Sequence, residues 1–249
     1  MAIVIKSRAE IESMRRAGRI LAELLQALSR EVRVGMKTRD LDRIAGHELD
    51  RLGAKSSFLG YRGFPARLCV SVNDEIVHGI PGDRVVNDGD IVSLDVGDIV
   101  EGFQADAAVT VGVGKVCSLA QDLMATTQGS LKAGIAAARK GNRLGDISSA
   151  IQVFVEARGF SVVREYTGHG IGREMHEDPQ VPNFGVPGEG IQLHEGMTLA
   201  LEPMVNQGTW RTKVGPNKWT VSTADGGLSA HFEHTIVITK GEAEILTML

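Results

Sequence analysis

The chain has 249 residues, an apolar share of 43%, a charged share of 23% and a formal net charge of −4. This length can bury a sizeable core in one or two domains, and the weak negative charge gives no reason to expect nucleic acid as a partner. Two cysteines, no apolar stretch near the roughly 18 residues that span a bilayer, and a short N-terminal apolar run predict a cytoplasmic protein without signal peptide or membrane contact.

The first half of the chain predicts two helices followed by strands. Ser7-Arg8-Ala9-Glu10 is a capping box, and apolar residues at helical spacing follow it to a helix end near Gly35. A second helix is predicted over 38–53. Strands are predicted over the apolar segments 67–72, 91–96 and 105–113.

The second half repeats this pattern. Ser118-Leu119-Ala120-Gln121 is read as another capping box that opens a helix to about residue 138. A further helix is predicted between 141 and 159, with strands around Val162 and over 198–201 and 235–239. Three residues recur 106 positions later: Gly35, Asp40 and Gly53 as Gly141, Asp146 and Gly159.

Coincidence explains the repeated helices about as well as duplication does, but the acidic residues favour duplication. Each half ends in two apolar strands, and each strand carries one carboxylate. We therefore predict an α+β fold of two halves, about 7–114 and 115–249, related by a pseudo-twofold axis. Because no Pro/Ser-rich linker separates them, residues 1–249 are expected to form a single catalytic domain.

The four acidic residues are Asp95, Asp106, Glu202 and Glu233. An ionised carboxylate on a buried strand is costly unless it is paired or binds a metal. A hydrogen-bonded strand end would explain one such residue, whereas four in matching positions favour a metal site. A hairpin turn centred between residues 100 and 101 would place Asp95 directly opposite Asp106, and two dications would balance the four charges.

Histidines add further candidates. His169 stands between Gly168 and Gly170, where close backbone approach favours a ligand, although a structural role is an equal alternative. His78 and His176 lie in polar or glycine-containing loops, and each is either exposed or substrate-facing. The remaining candidates, taken as surface or structural histidines, are His47, His194 and His231.

Five segments together resemble type I methionine aminopeptidases. They occur in order along the whole chain: His78-Gly79-Ile80-Pro81, Asp88-Gly89-Asp90-Ile91 with Asp95, Gly168-His169-Gly170-Ile171-Gly172, Leu201-Glu202-Pro203 and Phe232-Glu233-His234-Thr235. The resemblance implies the pita-bread fold, in which two pseudo-twofold-related helix-helix-strand halves surround a curved antiparallel sheet. It also implies removal of the initiator methionine from nascent polypeptides with a small second residue.

The resemblance assigns roles to matching positions. Two divalent ions (cobalt, manganese, iron or zinc) would be bound. Asp95 would hold one metal, His169 and Glu202 would hold the other, and Asp106 and Glu233 would bridge both. Glu202 would also shuttle a proton, and a metal-bridging water would attack the methionine carbonyl. His78 and His176 would contact the substrate. The methionine pocket would be formed by Phe58, Tyr61, Phe64, Cys69, Met175 and Trp219.

Nascent polypeptide N-termini are the implied partners, with proximity to the ribosome and a monomeric enzyme. Three alternatives stay open. A proline-directed peptidase could use the same scaffold, and a non-catalytic binding protein could reuse it, although such a protein is expected to lose some ligands. A purely structural metal is the third, but closed structural shells usually use Cys or His.

Overall fold

A computed structural model describes residues 3–249, so Met1 and Ala2, which begin the N-terminal apolar run, lie outside the described residues. The helices are α1 (Arg8–Glu31), α2 (Thr38–Leu52), α3 (Ser118–Ala137) and α4 (Leu144–Glu156). A 3₁₀ turn covers Tyr61–Gly63. The strands are β1 (Lys55–Ser56), β2 (Cys69–Val72), β3 (Glu75–Val77), β4 (Ile91–Val100), β5 (Phe103–Gly112), β6 (Ser161–Val162), β7 (Gly168–Gly170), β8 (Glu177–Val181), β9 (Thr198–Leu201), β10 (Met204–Asn206), β11 (Thr212–Val214), β12 (Val221–Thr223), β13 (Ser229–His231), β14 (Glu233–Val237) and β15 (Glu244–Ile245).

One nine-stranded antiparallel sheet runs through the middle of the molecule. Its main path is β1-β4-β5-β14-β9-β7-β8, with β2 also paired to β4 and β15 to β14. Two smaller three-stranded sheets have the orders β13-β10-β6 and β11-β12-β3. The pairing of β5 with β14 joins the first half of the chain to the second, and this junction is called the seam below.

Each half has its own apolar core. In the first half, α1 packs on β4 and β5 and α2 packs on α1, with side chains such as Leu21, Leu41 and Leu94 in one cluster. In the second, α3 packs on strands of the sheets and α4 packs on α3 and β6, with side chains such as Leu123 and Ile147 in one cluster. The amphipathic helices bury their apolar faces against the strands, and the predicted arrangement of two α+β halves is confirmed.

The sequence repeat corresponds to repeated local structure. All four repeated glycines adopt left-handed backbone, with φ of 84° and 72° at Gly35 and Gly53 and of 94° and 80° at Gly141 and Gly159. The repeated acids cap equivalent helices. Asp40 accepts the Lys37 N–H at 3.2 Å in front of α2, and Asp146 accepts the Arg143 N–H at 2.7 Å in front of α4. The two halves therefore share a helix-entry design.

One predicted capping box is confirmed and the other is wrong. At α1, the Ser7 N–H donates to Glu10 Oε2 at 2.9 Å, and the Glu10 N–H donates to Ser7 Oγ at 3.4 Å. At α3, Ser118 is already helical and Cys117 is the N-cap, with no side-chain hydrogen bond. Gln121 donates to a carbonyl of the preceding loop instead of closing a box. The helix starts one residue early because Cys117, not Ser118, has the extended backbone.

Two smaller differences concern element ends. Helix α1 stops at Glu31, four residues before the predicted end near Gly35. Residues 176–179 look like a polar loop in the sequence, but residues 177–181 form β8 on the edge of the sheet. Among residues 3–249, no helix combines the length and apolar character needed to cross a membrane.

Candidate active site

Four strands bring the predicted carboxylates to the seam. Asp95 lies in β4 and Asp106 in β5, Glu233 begins β14, and Glu202 directly follows β9. Because β5, β14 and β9 are consecutive neighbours in one sheet, acids that are over a hundred residues apart in sequence converge on one face. All four, with His169, line a single cavity.

The predicted register of the first hairpin is wrong. Asp95 lies opposite Ala108, and Asp106 lies opposite Gly97, so the two acids are diagonal neighbours on one face, not direct partners. The turn residues are Glu101 and Gly102, with φ of 53° and 78°. Two consecutive left-handed residues are typical of a two-residue type I′ turn, which centres the hairpin one residue later than predicted.

The carboxylates have the properties of a cation site. Among the described residues, Oδ1 of Asp95, Oδ1 of Asp106 and Oε1 of Glu233 are buried without a hydrogen-bond partner. Ligand atoms of Asp106, His169 and Glu233 all lie within 4.8 Å of one another. Burial raises the pKa of each carboxyl, and the neighbouring negative charges raise it further for Asp106, Glu202 and Glu233. Binding of divalent cations stabilises buried carboxylate oxygens that have no hydrogen-bond partner, so these residues fit such ions.

His169 is held in the form of a metal ligand. Its Nδ1 lies 2.8 Å from the Gly170 carbonyl oxygen, which can only accept, so Nδ1 carries the proton and Nε2 keeps its lone pair. Nε2 lies 3.9 Å from Asp106 Oδ2 and 3.7 Å from Glu202 Oε1. Burial and the His176 charge lower the pKa of His169 to about 3, so the imidazole is neutral and available to a cation.

The flanking glycines are required by close backbone approach, as predicted. A Cβ on Gly168 would lie 2.4 Å from the Ala200 carbonyl oxygen, and one on Gly170 would lie 2.3 Å from the Asp178 carbonyl oxygen. Backbone atoms cannot move aside as a flexible side chain can. Short β7 is thereby pressed between β8 and β9, and this contact places His169 over the carboxylates.

His78 also reaches the cavity, from an unusual backbone conformation. Its φ of 59° is left-handed, which is uncommon for a residue other than glycine and clusters at functional sites. The ring packs edge-on against Tyr166 and Trp219. Burial lowers the pKa of His78 to about 4, with a smaller contribution from the His176 charge, so the side chain is neutral and can donate one hydrogen bond.

His176 lies at the exposed mouth of the same cavity. Its ring centroid is 4.2 Å from that of His169, and its Nδ1 is 2.9 Å from the Tyr61 hydroxyl oxygen. Burial and the Arg62 charge lower the pKa of His176. A neutral imidazole that accepts the Tyr61 hydroxyl hydrogen at Nδ1 carries its own proton on Nε2, and in this tautomer His176 would present a hydrogen-bond donor.

The residues predicted to form the methionine pocket line the same cavity, of about 150 Å³, as the carboxylates. Its rings contact each other edge-on, with centroids 6.4 Å apart for Phe58 and Phe64 and 5.1 Å apart for Phe64 and Trp219. All six predicted residues line it: Phe58, Tyr61, Phe64, Cys69, Met175 and Trp219. Arg62 also lines it and was not predicted. An aromatic and thioether lining suits an unbranched apolar side chain.

His231, predicted from the sequence to be a surface or structural histidine, lies beside the carboxylates. This residue is 2% exposed, and its Nε2 lies 4.0 Å from Glu202 Oε2 and 3.9 Å from Glu233 Oε2. A signal was present in the sequence, because residues two apart on a strand point to the same face. His231 precedes Glu233 by two, so in a continuous extended chain both side chains would point to the carboxylate face.

The model of metallopeptidase family M24 matches residues 12–240. The chain is 53% identical to a methionine aminopeptidase of Clostridium perfringens over 247 residues, which cover 99% of each chain.

Two solved structures are similar to this chain over nearly all of its length. A methionine aminopeptidase from Thermotoga maritima superposes with a TM-score of 0.98 at 46% identity, over 100% of both chains. A prolidase from Pyrococcus furiosus superposes with a TM-score of 0.81 at 21% identity, over 99% of this chain and 66% of the prolidase. The second likeness concerns the fold alone, which both proteins share with this chain.

Proposed function

The chain belongs to metallopeptidase family M24, with the methionine aminopeptidases and their pita-bread fold, and we propose that it removes the initiator methionine from new polypeptides. One observation carries the proposal. A buried group of four carboxylates and one neutral imidazole, with orphaned oxygens, lines one cavity together with a wall of aromatic rings. Metallopeptidase chemistry and a methionine-binding pocket thus lie side by side.

Two divalent cations are proposed for the site, since they would balance the four carboxylate charges. Asp95 would hold one, His169 and Glu202 the other, and Asp106 and Glu233 both. Manganese, iron, cobalt and zinc all suit oxygen ligands with one imidazole. The chemistry that such cations would supply there is a lowered pKa of water, to near neutrality, and polarisation of the carbonyl of the scissile peptide bond.

Three side chains of the protein then carry out the proton transfer and donate hydrogen bonds to the substrate. Glu202 lies on the cavity wall and takes the proton from the attacking water, then passes it to the leaving amine. His176 donates from Nε2 to the carbonyl oxygen as negative charge develops on it. His78, neutral and fixed between two aromatic rings, donates to the peptide backbone beside the scissile bond.

Specificity follows from the shape of the cavity. The methionine side chain enters between the aromatic rings, where its thioether gains contacts at the ring edges. The carboxylates and three histidines line the rest of the cavity, and a small second residue such as Gly, Ala or Ser is therefore expected. The enzyme would act as a monomer in the cytoplasm on nascent chains, close to the ribosome.

The test compares peptides after cation loading. Metal-free protein, verified by elemental analysis, should be inactive, and manganese, iron or cobalt should restore hydrolysis of Met-Ala-Ser. Met-Lys-Ser serves as the matched control for the second residue, and its hydrolysis should be far slower. Full activity without cations would refute the metal mechanism. A preference for Xaa-Pro peptides would instead favour the proline-directed alternative on this fold.

A further inference from the structure

His231 is a buried imidazole beside the carboxylates that the steps above do not use. Its Nε2 faces Glu202 Oε2 at 4.0 Å and Glu233 Oε2 at 3.9 Å. Within residues 3–249, neither ring nitrogen has a hydrogen-bond partner. Burying a polar group without a partner is costly, so an imidazole held in this position indicates a partner that the working site provides.

The backbone of His231 is fixed by a relay of hydroxyl groups. The His231 N–H donates to Thr110 Oγ1 at 2.8 Å, and Thr110 Oγ1 donates to the His231 carbonyl oxygen at 2.8 Å. Because the single Thr110 hydroxyl hydrogen is used in this way, the Ser93 hydroxyl, 2.8 Å away, donates to Thr110. The imidazole is thus carried by a rigid support on β5 and β4, next to both glutamates.

A comparison with His169 separates a donor from a ligand. A ligating histidine usually donates its other ring N–H to a fixed acceptor, as His169 does through Nδ1 to the Gly170 carbonyl. His231 has no such acceptor at Nδ1 among the described residues. Its proton is therefore better placed on Nε2, the nitrogen that faces carboxylate oxygens. Glu202 lies between the two imidazoles, with Oε1 toward His169 and Oε2 toward His231.

We propose that His231 is a positioning residue whose Nε2–H orients the carboxylates of Glu202 and Glu233 for cation binding. The proposal rests on the proposed function. The present separations are longer than a direct hydrogen bond, and a bridging water or a small carboxylate rotation closes them. Removing the donor leaves both carboxylates free to rotate, which weakens cation binding without removing a ligand.

Three variants test this role. His231→Leu removes the donor, and His231→Gln retains an N–H that can reach the same oxygens. His234→Leu is the matched control. It lies next to Glu233 in β14, where consecutive side chains alternate faces, and its Nδ1 contacts Thr247 Oγ1 at 2.9 Å. Each metal-free protein is titrated with Mn²⁺ by calorimetry, its thermal unfolding is recorded, and its Co²⁺ complex is examined by visible absorption.

We expect His231→Leu to bind Mn²⁺ about 10- to 100-fold more weakly, with His231→Gln restoring most of the affinity and His234→Leu close to wild type. Equal Mn²⁺ affinity in wild type and His231→Leu would overturn the positioning role alone. A wild-type protein that binds no Mn²⁺ would instead overturn the proposed function. Loss of one bound cation and a changed Co²⁺ spectrum in both His231 variants would make His231 a ligand. Equal losses of affinity and unfolding temperature in His231→Leu and His234→Leu would make its role merely structural.

Discussion

Tyr61 offers a sharp test of the proposed mechanism, because a single atom connects it to a proposed catalytic group. The Tyr61 hydroxyl oxygen lies 2.9 Å from His176 Nδ1, and the two rings are stacked at 15° with centroids 5.5 Å apart. Tyr61→Phe removes only this hydroxyl. The ring that lines the methionine cavity remains, so substrate binding should be little affected.

The size of the effect follows from the lost hydrogen bond. Without the hydroxyl, the neutral His176 is no longer held in the tautomer that carries its proton on Nε2. A net hydrogen bond contributes about 0.5–1.5 kcal/mol, which corresponds to a fall in kcat of about 2- to 12-fold at 25 °C. KM should change less than kcat, because the apolar wall of the cavity is intact.

The assay measures kcat and KM for Met-Ala-Ser at saturating Mn²⁺ in wild type, Tyr61→Phe, His176→Ala and the double variant. If Tyr61 acts through His176, its replacement should have almost no effect in the His176→Ala background. An equal loss of kcat in both backgrounds would refute this coupling. No loss in either background would show that the hydroxyl does not set the tautomer.

Two further predictions concern the cavity histidines His169 and His176 and the buried carboxyl group of Asp98. His169→Ala should weaken Mn²⁺ binding, with partial rescue of activity by excess cation, whereas His176→Ala should retain its cation and lose about 10²–10³ in kcat; calorimetry that gives the opposite pattern would reverse the assignment. Asp98 is fully buried, and burial raises its pKa more than the nearby Ala105 N–H lowers it. A raised folded-state pKa means that stability is lost as pH rises from about 4 toward that pKa, so Asp98→Asn should be more stable than wild type by about 1–3 kcal/mol at pH 8 and equal to it near pH 4. Equal free energies of unfolding for Asp98→Asn and wild type at both pH values would contradict this.

Local sequence signals predicted the four helices because such signals depend on residues a few positions apart. The capping box at Ser7 and the recurring glycines specify backbone that forms within one turn, and the structure has it at those positions. The second capping box failed because serine suits both an N-cap and a first helical residue. In the structure Cys117, and not Ser118, has the extended backbone of an N-cap.

Contacts between distant segments were less accessible. The acids were identified individually, but their register depended on a two-residue turn at Glu101, where only one of the two left-handed residues is glycine. The left-handed backbone of His78 and the contact between Tyr61 and His176, 115 residues apart, have no local signal. The position of His231 beside Glu233 could have been inferred from strand alternation only by knowing that residues 229–233 run as extended chain.

The seam between β5 and β14 also makes the completeness of the cation shell depend on how the two halves dock. Asp95 and Asp106 belong to the first half, and His169, Glu202 and Glu233 to the second, so neither half alone carries more than three of the five candidate ligands. Cations that bind only the docked arrangement stabilise it by mass action. Cations bound by residues of both halves would therefore stabilise the docking of the halves as well as supply the proposed chemistry.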